Sequence, residues 1–328
     1  MKTFRYTLLA AAVATQAIAA TSVQADPQGK KLVLLSGPTE DRFISAFSTL
    51  FAGKAKELGM SLTQLTSPFD PALQAQQLDD AIGQKPDMIV LQPLSSGAVA
   101  PALNRAKAAS IPVFLVISQV DNGDGLSVGA MGLDDMRSGE LAAEAMIQGL
   151  KASGRTAAKV AAITGSLAEG IAPKRLAGFK ARLAKETWIE LVQVEDAKWI
   201  PPITEQIAGQ MFARYAATGG LDAIYGMNDA MANAIIQAAD SAGVTLGAKP
   251  GELLVIGGGC QESGVRNIKD GKQYATLSGP LPPYDGPKAA ELIADHFSGK
   301  AIPALSVTTP LEIIDAANID KYAALCSY

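Results

Sequence analysis

From residue 31 onward the hydrophobic pattern switches repeatedly between two periods. Short runs rich in Val, Ile and Leu, such as residues 31–36 (KLVLLS), 87–91 (DMIVL) and 112–117 (PVFLVI), read as strands buried on both faces. Between them lie longer amphipathic segments with helical spacing. The pattern predicts strands over 31–36, 61–66, 87–91 and 112–117, with helices over 42–58, 71–83 and 97–109 between them. Four strands separated by three helices imply a parallel sheet with right-handed crossovers, one complete α/β domain.

Residues 118–126 (SQVDNGDGL) interrupt the alternation with Gly, Asp and Asn, as a linker or turn would. Beyond them strands are predicted over 127–131, 159–164, 190–195, 222–225 and 253–256, and helices over 136–153, 172–185, 202–216 and 229–242. A short helix over 262–269, a strand over 273–277, the Pro-rich SGPLPPYDGP, a helix over 287–298 and a strand near 311–314 complete the chain. The second half repeats the element order of the first, and the proline cluster suggests a second passage between two domains.

Within the second run, LDAIYGMNDAMANAII (221–236) joins an apolar strand to an Ala-rich helix through Asn228 and Asp229. Asp229 can cap that helix by accepting from its first free backbone N–H groups. Asn228 sits at the carboxyl end of the strand, where open α/β sheets place their ligand-contacting loops, and is a candidate reader of a small molecule. A plain strand-to-helix turn is the alternative.

Composition narrows the class. Lys2 and Arg5 precede an apolar run, and small residues then lead to Asp26, the pattern of a secretory signal peptide over residues 1–25 with Val23-Gln24-Ala25 before the cut. No later stretch approaches twenty apolar residues, so a soluble, exported protein is expected. Cleavage removes two basic and no acidic residues, moving the formal charge from −4 to −6, which argues against nucleic acid as a partner. The remaining length favours two domains over a single core.

Cys260 and Cys326 would meet an oxidising compartment, where a disulfide between them is one reading and two free thiols the other. His296 is the sole histidine and falls near a predicted helix end, so neither a transition-metal cluster nor a Cys–His nucleophile emerges. Gly257, Gly258 and Gly259 lack the Lys-Ser/Thr ending of a P-loop and the spacing of a dinucleotide fingerprint. With no nucleophile elbow and no paired-acid spacing, catalysis, a metal and a cofactor are all unexpected.

Taken with the element order, four phrases make the chain similar to the type I periplasmic solute-binding proteins of the ribose and galactose kind. They are KPDMIVLQPLSSGAVAPALNRAKAASIPVFLV, LDAIYGMNDAMANAIIQAADSAG, LLVIGGG with VRNIKDGKQYATL after it, and AAELIADHFSGKAIP. The resemblance implies an α/β fold of two Rossmann-like, doubly wound parallel-sheet lobes joined by a three-strand hinge. Crossings are expected near 118–124, 278–283 and 307–310. The amino-terminal lobe would comprise residues 26–118 plus 284–306, and the other lobe residues 119–283 plus 307–328. Both cysteines then share a lobe, which favours the disulfide. The implied function is a monomeric periplasmic component of an ABC importer that closes on a sugar, sugar derivative or polyol and delivers it to the membrane permease. A periplasmic sensor subunit presenting its ligand to a membrane receptor or kinase is the alternative.

The same resemblance nominates ligand contacts. In the loop SGPTEDRF, Phe43 offers a face for a sugar ring, and Glu40 and Asp41 offer hydroxyl acceptors, although Asp41 also suits a helix cap and Phe43 the core. Trp199 falls where similar proteins place an aromatic residue against the sugar, and Asn228 matches the family's amide ligand. Asp229 is placed either at the ligand or at the cap. Four positions depart from the ribose-type pattern: Ile117-Ser118 replace an Asp-Arg pair, Pro173 an Arg, Gly257-Gly258-Gly259-Cys260 a G-F-D-G, and Gly279-Pro280 a glutamine region. Gln92, Gln119, Glu169, Arg175 and Gln261 complete the candidate set, and the lost hydrogen-bonders point away from ribose, galactose or glucose bound as elsewhere in the family.

Overall fold

Strands that are apolar on both faces need cover from two sides, and the chain supplies it twice. The computed structural model describes residues 26–168, 170–279, 281–307 and 310–328. The expected signal segment and Glu169 lie outside the described residues. The first sheet contains β1 (Lys31–Ser36), β2 (Ser61–Thr66), β3 (Met88–Leu91), β4 (Val113–Val116) and β5 (Gly129–Met131) in the order β2-β1-β3-β4-β5, all parallel. Helices α1 (Arg42–Glu57), α2 (Pro71–Gly83) and α3 (Ser96–Ala108) connect its first four strands.

The second sheet contains β6 (Ala158–Thr164), β7 (Ile189–Asp196), β8 (Ala223–Gly226), β9 (Leu254–Ile256), β10 (Ala275–Leu277) and β11 (Ile313–Asp315). Their order is β11-β10-β9-β8-β6-β7, parallel except for β11, which runs antiparallel to β10. Its helices are α4 (Asp135–Ala152), α5 (Ile171–Leu183), α6 (Pro201–Tyr215), α7 (Asp229–Ala242) and α8 (Glu262–Lys269). Then follow α9 (Pro282–Phe297), which packs on α1 of the first unit, and the short α10 (Ile319–Tyr322).

Alternation along β1 divides the first core. Leu32 and Leu34 join Phe47, Phe51 and Ile293 beneath α1 and α9, while Val33 and Leu35 join Leu78 and Leu103 beneath α2 and α3. In the second unit α4 and α5 approach closely through glycine. A Cβ on Gly139 would lie 1.9 Å from the Arg175 carbonyl oxygen, and one on Gly178 would lie 2.0 Å from that of Met136. Gly139→Ala is therefore expected to lower stability by about 2 kcal/mol through overpacking. Urea denaturation followed by circular dichroism measures it, and an unchanged midpoint would contradict this helix contact.

Each predicted element is found within two residues of its expected bounds, with two corrections, and the short α10 has no predicted counterpart. The strand expected to open the second run, β5, pairs instead with β4, Phe114 opposite Gly129, so SQVDNGDGL is a loop within the first sheet. A Gly/Asp/Asn-rich loop reads alike whether it links strands or domains, and here it leads to another strand of the same sheet. The helix predicted from 287 begins at Pro282. Prolines at its first two positions forfeit no hydrogen bond, since those N–H groups have no partner within a helix.

Candidate ligand-binding cleft

In both sheets the chain reverses its direction of winding beside the first strand, between β1 and β3 and between β6 and β8. Loops at such a switch point diverge and leave a crevice beyond the strand ends. Here the two crevices face each other and enclose a cavity of about 620 Å³ including its mouth. Asp41, Phe43, Ile44, Phe69, Gln92 and Ile117 line it from the first unit, and Ile171, Arg175, Trp199, Asn228, Gly259 and Gln261 from the second.

Most polar atoms here are held in place by the fold. Asp41 caps α1, its Oδ1 accepting from the Ile44 N–H at 3.1 Å. Burial pushes the Asp41 carboxyl above the usual carboxylate range, against the opposing backbone N–H groups of Ile44 and Phe43. Gln92 Oε1 accepts from the Gly37 N–H at 3.0 Å, and the Gln92 carbonyl accepts from Gln74 at 2.8 Å. Arg175 donates through Nε to Asp135 at 2.9 Å and through Nη1 to the Met227 carbonyl at 3.4 Å. Its guanidinium carbon stands 5.8 Å from the Trp199 ring centre, within cation–π range. Burial raises the Asp135 carboxyl despite the Arg175 charge beside it.

Trp199 follows a turn with two left-handed residues, Lys198 at φ +55° and Trp199 at +65°, fixed by the Lys198 N–H donating to Asp196 at 2.8 Å. The indole lies flat over Gly165, where a Cβ would come within 1.9 Å of it. Phe69 at φ +49°, Ile117 at +68° and Cys260 at +47° are likewise left-handed. For a β-branched residue such as Ile117 this is a strained conformation, of the kind that collects at binding sites.

Seven of the expected residues, Asp41, Phe43, Gln92, Arg175, Trp199, Asn228 and Gln261, meet at this cavity. Three do not line it. Glu40 is exposed, on the outside of the turn closed by the Asp41 N–H donating to the Pro38 carbonyl at 3.2 Å. Gln119 lies beyond the Ile117 turn, with its carbonyl oxygen facing Gly170.

Asp229 is fully buried behind the wall and neither caps α7 nor faces the cavity. The cap is Asn228, whose extended backbone lets Oδ1 accept from the Met231 N–H at 2.8 Å. The Asp229 carboxylate instead accepts from the Gln261 N–H at 2.8 Å, Gln273 Nε2 at 2.7 Å and the Thr276 hydroxyl at 2.8 Å. Burial raises its pKa to about 6 against those hydrogen bonds. Sequence reasoning passed over Ile44, Phe69, Ile117 and Ile171. Phe69 was findable from its place in the loop after β2, whereas the other three look like ordinary core residues.

The walls touch. Ile171 packs into the first unit's core, Arg42 pairs with Glu262 at 3.1 Å, and Lys174 with Asp121 at 2.6 Å. Cys260 and Cys326 form a disulfide beside the second wall. Among the described residues no group of His, Cys, Asp and Glu could hold a metal ion, and no helix is long and apolar enough to cross a membrane.

Two facing α/β units with a polar and aromatic crevice between them define a bilobed solute-binding protein. Residues 32–301 match the model of the periplasmic binding protein domain, and the chain belongs to that family, a solute-binding protein rather than an enzyme. The ribose import binding protein of Salmonella typhimurium is 26% identical over 299 residues, 90% of this chain and 94% of the relative. The D-apiose import binding protein of Actinobacillus succinogenes is 26% identical over 251 residues, 76% of each chain. The solved structure of a Caulobacter myo-inositol binding protein bound to myo-inositol is similar with a TM-score of 0.81 at 20% identity, covering 90% of this chain and 96% of that one.

Proposed function

We propose that this protein is the periplasmic binding component of an ABC importer for a small cyclic sugar, sugar derivative or polyol. The observation that carries the reading is the crevice itself, with Trp199 and Phe43 offering aromatic faces and Gln92, Arg175, Asn228 and Gln261 offering polar edges. Because Gln92 Oε1 and Asn228 Oδ1 are occupied by backbone N–H groups, their amide NH₂ groups are the atoms available to a solute. Asp41 supplies an acceptor. This donor-rich, partly apolar lining suits ring and hydroxyl oxygens on a solute with one apolar face.

The protein acts as a monomer in the periplasm, after removal of residues 1–25, and presents its closed form to a membrane permease. Its first lobe is residues 26–131 plus 282–306 and its second lobe the remainder, a division supported by the pairing of β5 with β4 and the packing of α9 on α1. Hinge closure about the three crossings captures the solute.

Thermal denaturation with D-ribose, D-apiose, D-allose and myo-inositol, on protein unfolded and refolded to free it of carried-over solute, tests the reading. At least one should raise the melting temperature without being consumed; at a hundred times Kd the gain is about 2.7 kcal/mol. Trp199→Ala should abolish the shift while the solute-free protein keeps its circular dichroism spectrum. No shift across these and a wider carbohydrate and polyol panel would sink the import reading.

A further inference from the structure

We propose that residues 326–328 brace the binding cleft from behind its second wall, with the disulfide anchoring this tail and Tyr328 joining the two lobes across the closed mouth. The proposal rests on the reading of the cavity as the solute site. It begins from a gap: Gly257, Gly258 and Gly259 bring no side chains to the second wall, and at Gly259, with φ +85°, a Cβ would meet nothing within 4 Å. Gly259 and Gln261 both line the cavity, so what supports this stretch shapes the site.

Tyr328 provides that support. Its hydroxyl donates to the Gly259 carbonyl, and its backbone carbonyl accepts from the Glu262 N–H at 3.5 Å. The same ring meets Phe43 of the opposite wall edge to face, with centroids 6.1 Å apart and planes at 66°. One side chain therefore touches a lining residue of each lobe. Burial, reinforced by the negative charges of Asp229, Asp41 and Asp285, holds the phenol well above its ordinary pKa, so it stays a donor wherever the protein is folded.

The anchor lies two residues before. Cys326 bonds Cys260, which stands between the lining residues Gly259 and Gln261, and both sulfurs are buried among Leu281, Ile314, Ile319 and Tyr322. Opening the cleft must part Phe43 from Tyr328. Tyr328 is thus a positioning residue that sets the 258–261 wall and biases the lobes toward closure.

Hydrogen–deuterium exchange on solute-free protein tests this, comparing the wild type with Tyr328→Ala, Tyr328→Phe and the pair Cys260→Ser, Cys326→Ser. Tyr328→Ala should speed exchange of the amides at 43–45, in the lobe opposite the tail, by roughly threefold to tenfold, the worth of one aromatic pair. The serine pair should do the same. Tyr328→Phe keeps the ring, so it should leave 43–45 protected and loosen only 260–262. A rise at 43–45 with Tyr328→Phe as well would support the bridge and show that the hydroxyl's bond to Gly259 holds the ring in place against Phe43. Unchanged exchange at 43–45 in Tyr328→Ala would overturn the proposal, even if 258–262 loosened, because the tail would then serve its own lobe alone. Unaltered exchange in α7 and β9 guards against general unfolding, and should the serine pair unfold, the Tyr328 variants decide. No solute enters this measurement, so its failure is separate from failure of the sugar panel.

Discussion

Replacing Cys260 and Cys326 together by serine lowers the unfolding free energy of the second lobe by about 4 kcal/mol. The bond joins residues 66 apart in sequence, so the unfolded chain regains the freedom of a long loop when it is absent. Both positions are fully buried in an apolar cluster with Ile268, Leu281, Ile314, Ile319 and Tyr322, where a serine hydroxyl finds no water. Denaturant unfolding of the oxidised, the dithiothreitol-reduced and the doubly substituted protein measures the effect. The last two should agree and fall well below the first. Equal stability of all three would mean that the cross-link does not form in solution. A loss of stability on reduction would tie the fold to an oxidising compartment.

Asp229→Ala should destabilise the fold by on the order of 3 kcal/mol, because the Gln261 N–H and the Thr276 hydroxyl lose a buried acceptor. The wild-type carboxyl also makes stability depend on pH. Its folded pKa of about 6 exceeds the ordinary 3.8, with burial as the main cause, so the folded protein holds this proton more tightly than the unfolded chain does. The group's favourable contribution is therefore complete below about pH 4, declines between pH 4 and 6, and is absent above that. The span is about 3 kcal/mol at 1.36 kcal/mol per pKa unit. Subtracting the stability of Asp229→Asn from that of the wild type isolates this carboxyl from other titrations. A difference that stays flat from pH 4 to 7 would exclude a buried, proton-linked Asp229.

The two-sheet architecture was legible because β3 and β4 are unbroken apolar runs and because Asp41 suits a helix start in its own side-chain chemistry. The allegiance of β5 was not, since three residues, Gly129–Met131, carry no mark of which sheet they join. The cavity lining was read best where a polar or aromatic residue closely followed a strand, as at Gln92 and Asn228. It was read worst where tertiary packing decided: Asp229 shares its sequence signature with a cap, and only the contacts from Gln261, Gln273 and Thr276 distinguish it. Ile117 is an apolar residue in a strand by every local measure, and its left-handed backbone is a product of the surrounding loops.

The bed of Trp199 is a glycine, and this gives residue 165 an influence out of proportion to its size. An alanine there would have to displace the indole, whose nearest atom lies 1.9 Å from the added carbon. The ring would move forward into the crevice, which would become shallower without the loss of any hydrogen-bonding group. The depth of the cavity is thus governed from beneath Trp199, by a residue that does not itself line it. Under the proposed function, chains of this kind that differ in the bulk of their solutes should differ at this position before they differ in the residues lining the cavity.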